Sequence, residues 1–381
     1  MIAQAAQAES PPSENPSALT AWWVWARFPV VLWAVTRVSY ILLGFMSLKL
    51  MRGLRGSSVQ ALRNYPAADA LCCWDCGWFN TIATHGYPSP MSTNVWPGLP
   101  ALSRAVAEIT RMPIGFAILT VSNLACLGAY LLVYRLFEKI DGRASARAAL
   151  GLFAAYPFAF FHAAGYPETL MIFFSALAIT LAMSGRNLWA GIVLGLGILS
   201  RHLTVLMGAS LLAAQIRQRG WRGLFLSPKL LTLALPFVMV GGYMVYCQIA
   251  WKDPLAFWHG RTAWAPSTAW WTSIDALRHY DTRPHIVSFM PFALIVTLGA
   301  FGLLSSRRYA ELAAAALPLM LALWYIGAFG MGRYSASVWP AFLPLGRYYE
   351  RHPRVRLPLL LLFGLAQGWY FFLHSHHYEI Q

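Results

Sequence analysis

The sequence predicts an all-α, polytopic membrane protein with about 11 transmembrane helices. Three observations carry this. Only 11% of the 381 residues are charged and 58% are hydrophobic, against about 25% and 45–50% in soluble globular chains. The apolar residues gather into long runs, and a bilayer crossing needs about 20 residues. The basic residues alternate in sign of sidedness, filling every second short loop. A soluble enzyme, a disordered chain and a coiled coil are excluded by this composition.

Taken in order, the apolar runs lie near 22–47, 114–137, 147–163, 168–184, 188–200, 203–217, 229–250, 286–304, 311–330, 334–348 and 357–374. Several are shorter than a crossing, so they are expected to tilt, re-enter or lie behind neighbours. Ser200-Arg201-His202 interrupts one stretch and predicts a break at a membrane face. Residues 1–20 are polar, with no Lys or Arg and no apolar core. They read as a disordered tail and not as a cleavable signal. Residues 21–381 then form a single membrane domain. With the N-terminus cytoplasmic, 15 of the 29 basic residues fall in five short inner loops. These include Arg143, Arg307, Arg308, Arg347 and Arg351, whereas the short outer loops carry Arg201 and Arg333. That is the positive-inside pattern. It accounts for much of the net charge of +15 without a nucleic-acid partner. In a bacterial source the membrane would be the inner one.

Two long loops, 48–113 and 251–285, fall outside, and loops of such length are usually functional. The first holds Trp74-Asp75-Cys76-Gly77-Trp78. Trp74, Trp78 and Ile82 share a face at helical spacing, which predicts an interfacial helix with aromatic side chains toward the lipid. Asp75 would open that helix at the membrane surface, either as a general base or as an N-cap. Glu168 also opens a span, where it can serve the helix dipole or a site. Arg201, beside His202, and Arg333, beside Tyr334, are candidates to hold a phosphate, with interfacial snorkelling as the alternative. Lys252 is a further phosphate candidate, and its neighbour Asp253 can cap a turn. Arg37 lies within the first span, where a cation must be paired or line a cavity. Together these residues put carboxylates and cations on one membrane face. Cations could stabilise a departing lipid phosphate while a carboxylate takes a proton from an attacking hydroxyl.

The motifs Trp74-Asp75 … Ile82-Ala83 … His85-Gly86-Tyr87, Trp96-Pro97-Gly98-Leu99-Pro100, Tyr156-Pro157-Phe158-Ala159-Phe160-Phe161, Tyr166-Pro167-Glu168, Ser200-Arg201, Asp253-Pro254-Leu255-Ala256-Phe257 and Arg333-Tyr334 occur in order. The series resembles the PIG-V family of mannosyltransferases, in the GT-C superfamily of integral membrane glycosyltransferases. The resemblance implies a GT-C-like fold, a polyprenyl-phosphate sugar donor, inversion at the anomeric carbon and Asp75 as base. It implies Arg201 and Arg333 as donor-phosphate residues, and membrane lipids, a lipid-linked sugar donor and a glycolipid, glycan or protein acceptor as partners. The chain departs from the pattern at Cys72, Cys73 and Cys76 and at His162. No metal ligand set is assigned, and no carboxylate pair is close enough in sequence to imply a divalent metal. Two other classes fit parts of the sequence. A transporter or flippase of lipid-linked sugars would need charge at the bilayer midplane. A thiol oxidoreductase would use Cys73-x-x-Cys76, although a disulfide from Cys72 or Cys73 to Cys76 is the simpler use of these cysteines. His374, His376 and His377 read as a solvated tail.

Overall fold

The computed structural model describes residues 18–50, 59–225, 227–263, 289–326, 330–376 and 378. Among the described residues every regular element is helical, as the composition predicts. Residues 1–17 of the expected tail, the loop from 264 onward, the first residues of the span expected at 286 and His377 lie outside the described residues.

Helix α1 covers Ala18–Phe45 and continues as a π-turn at Met46–Leu50. The outer loop then forms three helices: α2 (Pro66–Leu71), α3 (Cys76–His85) and α4 (Gly98–Thr110). Helix α5, Ile114–Ala155, is two limbs joined at Gly142, whose φ of 83° and ψ of 170° break the helical path. Only glycine takes that conformation without a Cβ clash. The second limb stops at Ala155 because Tyr156, ahead of Pro157, is pushed to extended backbone. The span expected over 147–163 is therefore a helix that ends early, followed by a 3-10 turn at Ala159–His162.

Helices α6 (Glu168–Met183) and α7 (Asn187–Ser200) form a hairpin against α5. They measure roughly 24 and 21 Å at 1.5 Å per residue, less than a bilayer's hydrocarbon core of about 30 Å. Most of α6 is buried among its neighbours, which removes the need to match the lipid thickness alone. A 3-10 turn at His202–Gly208 leads into α8 (Ala209–Phe225). Next come α9 (Leu235–Trp251), α10 (Ala256–His259), α11 (Met290–Gly302) and α12 (Ala310–Ile326).

The span expected over 334–348 is not a single helix. It divides into α13 (Met331–Ser335), a 3-10 turn at Trp339–Ala341 and α14 (Phe342–Arg351). Pro340 lies in this turn, and Trp339 is fully buried, with its Nε1 donating to Ser175 Oγ at 3.0 Å. This segment is interior packing, held against α5, α11 and α12. The last helix, α15, runs from Pro353 to Ser375 and lies on α1 and α5.

Among the described residues four helices are long and apolar enough to cross a membrane: Trp22–Lys49, Ile114–Ala155, Pro228–Trp251 and Pro353–Ser375. Glu168–Met183, Asn187–Ser200 and Met290–Ser305 are shorter apolar helices. The chain is an integral membrane protein by these helices. Its interior is aromatic, with Tyr156, Phe158, Phe160, Phe161, Tyr166 and Trp339 all fully buried.

Candidate active site at the Asp75 end of the bundle

The sequence Cys72-Cys73-Trp74-Asp75-Cys76 folds into a tight turn before α3. Cys72 and Cys76 are joined in a disulfide, with Cα atoms 5.1 Å apart. Trp74 between them has φ 56°. Positive φ is unusual for a bulky side chain, and such residues cluster at functional sites. The turn takes Trp74 out of the helix, so the expected Trp74–Trp78–Ile82 face does not form. The buried face of α3 is Cys76, Phe79, Ile82 and Ala83, and Trp78 is only half-buried. Trp74 Nε1 instead reaches the His374 carbonyl at 3.3 Å.

Asp75 occupies the N-cap position of α3, yet its side chain caps nothing. Its Oδ2 accepts from Arg333 Nη1 at 2.6 Å. The same guanidinium donates through Nε to Glu168 Oε1 at 2.5 Å, and Arg201 Nη1 lies 2.9 Å from that oxygen. The result is an alternating chain, Asp75–Arg333–Glu168–Arg201, drawn from four separate segments. Glu168 has 0% side-chain exposure, Arg333 3% and Arg201 10%, while Asp75 retains 31%. The chain is deeply buried at one end and open at the carboxylate expected to act as base. Among the described residues, Glu168 Oε2 and Arg201 Nε have no hydrogen-bond partner.

Aromatic rings wall the cations. Arg333 lies over the Tyr166 ring at 4.2 Å, and Arg201 over Tyr334 at 4.6 Å. Burial opposes the charge on Arg333, but Glu168 and then Asp75 more than offset it and raise its pKa further. The Tyr166 hydroxyl donates to the Cys73 carbonyl at 3.0 Å, and Gly165 N donates to the Leu71 carbonyl at 2.8 Å. The loop carrying Asp75 and the loop carrying Glu168 are thereby fixed to each other.

The remaining expected residues divide. His202 lies next to Arg201 with its ring 6.0 Å from that of Trp96, which in turn packs on Phe257. Lys252 is exposed at the left-handed C-terminal residue of α9 and stands outside the charge chain. Asp253 caps its turn, accepting from Leu255 N at 3.0 Å. Arg37 has its own partners: Asn123 Oδ1 at 2.8 Å, Thr36 Oγ1 at 2.8 Å and the His162 carbonyl. It is a paired cation inside the bundle. His374 and His376 are buried, not solvated, because α15 brings them against Phe161 and Ser47. The redox reading of Cys73 is overturned. Its thiol is buried and donates to the Asp69 carbonyl, while the disulfide uses Cys72. Burial also raises its pKa, away from the reactive thiolate. Among the described residues no three His, Cys, Asp or Glu side chains converge as metal ligands.

One residue missed by the sequence reading is Arg261. It lies beyond Asp253-Pro254-Leu255-Ala256-Phe257, stacks 5.8 Å from Trp258 and acts together with Arg201 electrostatically on His202. Its signal was a cation following an aromatic-rich outer motif.

Gly98 explains the aromatic-Pro-Gly stretch. A Cβ there would lie 2.6 Å from Ser200 Cα and 2.8 Å from Ser200 N. Backbone must move to admit it. Gly98→Ala is expected to cost about 1–3 kcal/mol of stability and to shift Arg201. A thermal unfolding midpoint within 1 °C of the parent, roughly 0.8 kcal/mol or less for a chain of 381 residues, would refute the contact.

Residues 94–246 match the family described as dolichyl-phosphate-mannose-protein mannosyltransferase. The match includes Trp96, Glu168, Arg201 and His202 but not Asp75 or Arg333. Among curated proteins none matches the chain. Among solved structures it is similar to ArnT from Cupriavidus metallidurans, at 16% identity and TM-score 0.49, covering 91% of this chain and 63% of that one. It is also similar to the apo oligosaccharyltransferase of Archaeoglobus fulgidus, at 15% identity and TM-score 0.47, covering 96% and 57%. Another is the AglB oligosaccharyltransferase of the same organism with an inhibitory peptide and dolichol-phosphate, at 13% identity and TM-score 0.46, covering 96% and 56%. The chain thus spans little more than half the length of most of these structures.

Proposed function

We propose that the chain is an inverting glycosyltransferase that moves a hexose, mannose in the first instance, from a polyprenyl-phosphate sugar to a hydroxyl acceptor at the outer membrane face. The observation that carries this reading is the state of Asp75. Its carboxylate sits at a helix start without capping it, is held by a guanidinium that it shares with buried Glu168, and remains 31% exposed. A carboxylate in that state is free to take a proton. The match of residues 94–246 to a mannosyltransferase family supports the substrate class, and the in-order resemblance to the PIG-V family supports the role of Asp75.

In this reading Asp75 removes the proton of the acceptor hydroxyl as that oxygen attacks the anomeric carbon. The polyprenyl phosphate leaves from the opposite side. Arg201, whose Nε lacks a partner among the described residues, meets the phosphate oxygens with His202 and Arg261 beside it. Such cations, fixed in advance in a buried site, stabilise the charge that grows on the departing phosphate. Glu168 Oε2, also without a partner, can accept from a sugar hydroxyl. Arg333 aims the Asp75 carboxylate through the Nη1–Oδ2 contact. An apolar cavity of about 530 Å³ between α1 and α15 can take part of the polyprenyl tail. It reaches Ser47, which meets Ser375 at 2.6 Å, one residue from the His374 carbonyl that holds Trp74.

The test is a transfer assay with purified full chain, a synthetic polyprenyl-phosphate mannose of known anomeric configuration and simple glycoside acceptors. NMR of the product reads the anomeric centre. Transfer with inversion is expected. Retention of configuration, or lipid movement without transfer, would overturn the reading.

A further inference from the structure

The far end of the bundle carries a polar cavity. The first limb of α5, from Ile114 to Asp141, is roughly 40 Å long at 1.5 Å per residue and separates it from the Asp75 end. The cavity measures about 630 Å³ and lies between the turn at 303–309 and α14. Arg308, Arg347, Arg351 and His352 line it together with Ser305 and Ser306.

Two of these cations are pre-set by a buried hub. Asp141, with 4% side-chain exposure, lies 2.5 Å from Arg308 Nη2 and 3.7 Å from Arg347 Nη1. The Tyr309 hydroxyl donates to Asp141 at 2.6 Å and accepts from Arg308 at 3.0 Å and Arg347 at 2.9 Å. Both guanidiniums therefore approach the hub through one terminal nitrogen and turn their remaining N–H groups elsewhere. Arg351 adds a third charge. His352 is stacked on Tyr348 with ring centres 4.0 Å apart. The neighbouring acid, Glu350, accepts from Ser145 at 2.5 Å and also acts electrostatically on Arg347. Two carboxylates thus stand against three guanidiniums around a concave space.

We propose that this cavity binds a phosphate-diester or phosphate-monoester anion, and that its occupant is the headgroup of an anionic phospholipid. Arginine forks match phosphate oxygens in pairs, and basic pockets between membrane helices at the inner leaflet suit anionic headgroups. The volume falls within the range of about 300–1,000 Å³ typical of small-molecule sites, well beyond a bare phosphate. Next to it, Phe301 and Leu304 are 51% and 63% exposed on the lipid-facing side, where acyl chains would run. Cations that only set topology need no such hub, because loop position alone serves the positive-inside rule. This inference stands independently of the proposed transfer reaction.

The experiment uses the full chain in neutral detergent with a fluorescent, short-chain phosphatidylglycerol, read by anisotropy. Saturable binding is expected, displaced by unlabelled phosphatidylglycerol and not by phosphatidylcholine, and weakened by salt. Arg347→Gln with Arg351→Gln is expected to weaken it at least tenfold. Should the double variant fail to fold, Arg351→Gln alone, outside the hub, is expected to weaken it at least threefold. Displacement by inorganic phosphate as effective as that by the lipid would support the anion site and assign it a soluble phosphate. Equal displacement by phosphatidylcholine, or unchanged affinity in folded Arg351→Gln and in the double variant, would overturn the proposal.

Discussion

Asp75→Asn is expected to lower kcat for sugar transfer by about 10²- to 10⁴-fold, the usual contribution of a general base. Asn has the size of Asp and still offers an oxygen to Arg333 Nη1, now 2.6 Å from Oδ2. Little packing is lost, because this side chain is 31% exposed and Glu168 still neutralises Arg333. KM for the donor should change little, since Asp75 is not among the groups assigned to the phosphate. The unfolding midpoint should stay close to that of the parent. Asp75→Glu keeps the charge but moves it by one methylene, and should recover only part of the rate. If Asp75→Asn transferred sugar within threefold of the parent rate, the base would have to be sought elsewhere. Glu168 is an unsuitable second choice, because its carboxylate is fully buried between two arginines.

The largest effect on stability is expected at Arg333. Arg333→Met removes the one group that bridges Asp75 and Glu168, and leaves a carboxylate of 0% exposure with Arg201 alone. Removing one member of a buried ion pair costs about 3–5 kcal/mol. The stacked contacts with Tyr166 and Phe161 go as well. The variant should accumulate poorly and unfold well below the parent in detergent. Lys is not an adequate substitute. Arg333 uses Nε toward one carboxylate and Nη1 toward the other, and a single ammonium has no such fork. The decisive comparison is a cycle. Asp75→Asn with Arg333→Gln should be more stable than Arg333→Gln alone, because Asp75 loses its guanidinium in the single variant whereas Glu168 keeps Arg201. A double variant less stable than the single one would show that the pair contributes through packing and not through charge.

The residues of the site were legible because ionisable groups are expensive in this chain. Asp75, Glu168, Arg201 and Arg333 stood out against long apolar surroundings, and the two arginines were the cations of the short outer loops. Their partnership was not legible. Arg333 follows Asp75 by 258 residues, and no periodicity connects such positions. The choice of Cys72 over Cys73 as disulfide partner was also hidden. It depends on the left-handed turn at Trp74, which the helical spacing of Trp74, Trp78 and Ile82 argues against. Hydropathy found the long helices, but it counted the buried aromatic runs at 147–163 and 334–348 as spans. A residue facing lipid and a residue packed inside a bundle are equally apolar. Pro157 and Pro340 were the available signs that these runs break. Burial of His374 was unreadable, because it depends on where α15 docks.

The linear order of the charge chain sets a schedule for assembly. Glu168 is synthesised first among its three buried members, Arg201 follows 33 residues later by position, and Arg333 follows 165 residues after Glu168. At about 5–20 residues per second, the interval before Arg333 emerges is roughly 8–33 s. For most of that time α6 carries an acid with only one of its two cations, Arg201, in place. Until Arg333 is made, α6 is held by half of its charge pairing. Nascent chains arrested before 326 should accordingly be cleared by membrane proteases faster than chains arrested after 351, and Glu168→Gln should narrow that difference. Equal clearance of both would mean that Arg201 alone is sufficient to hold α6 in place while the rest of the chain is made.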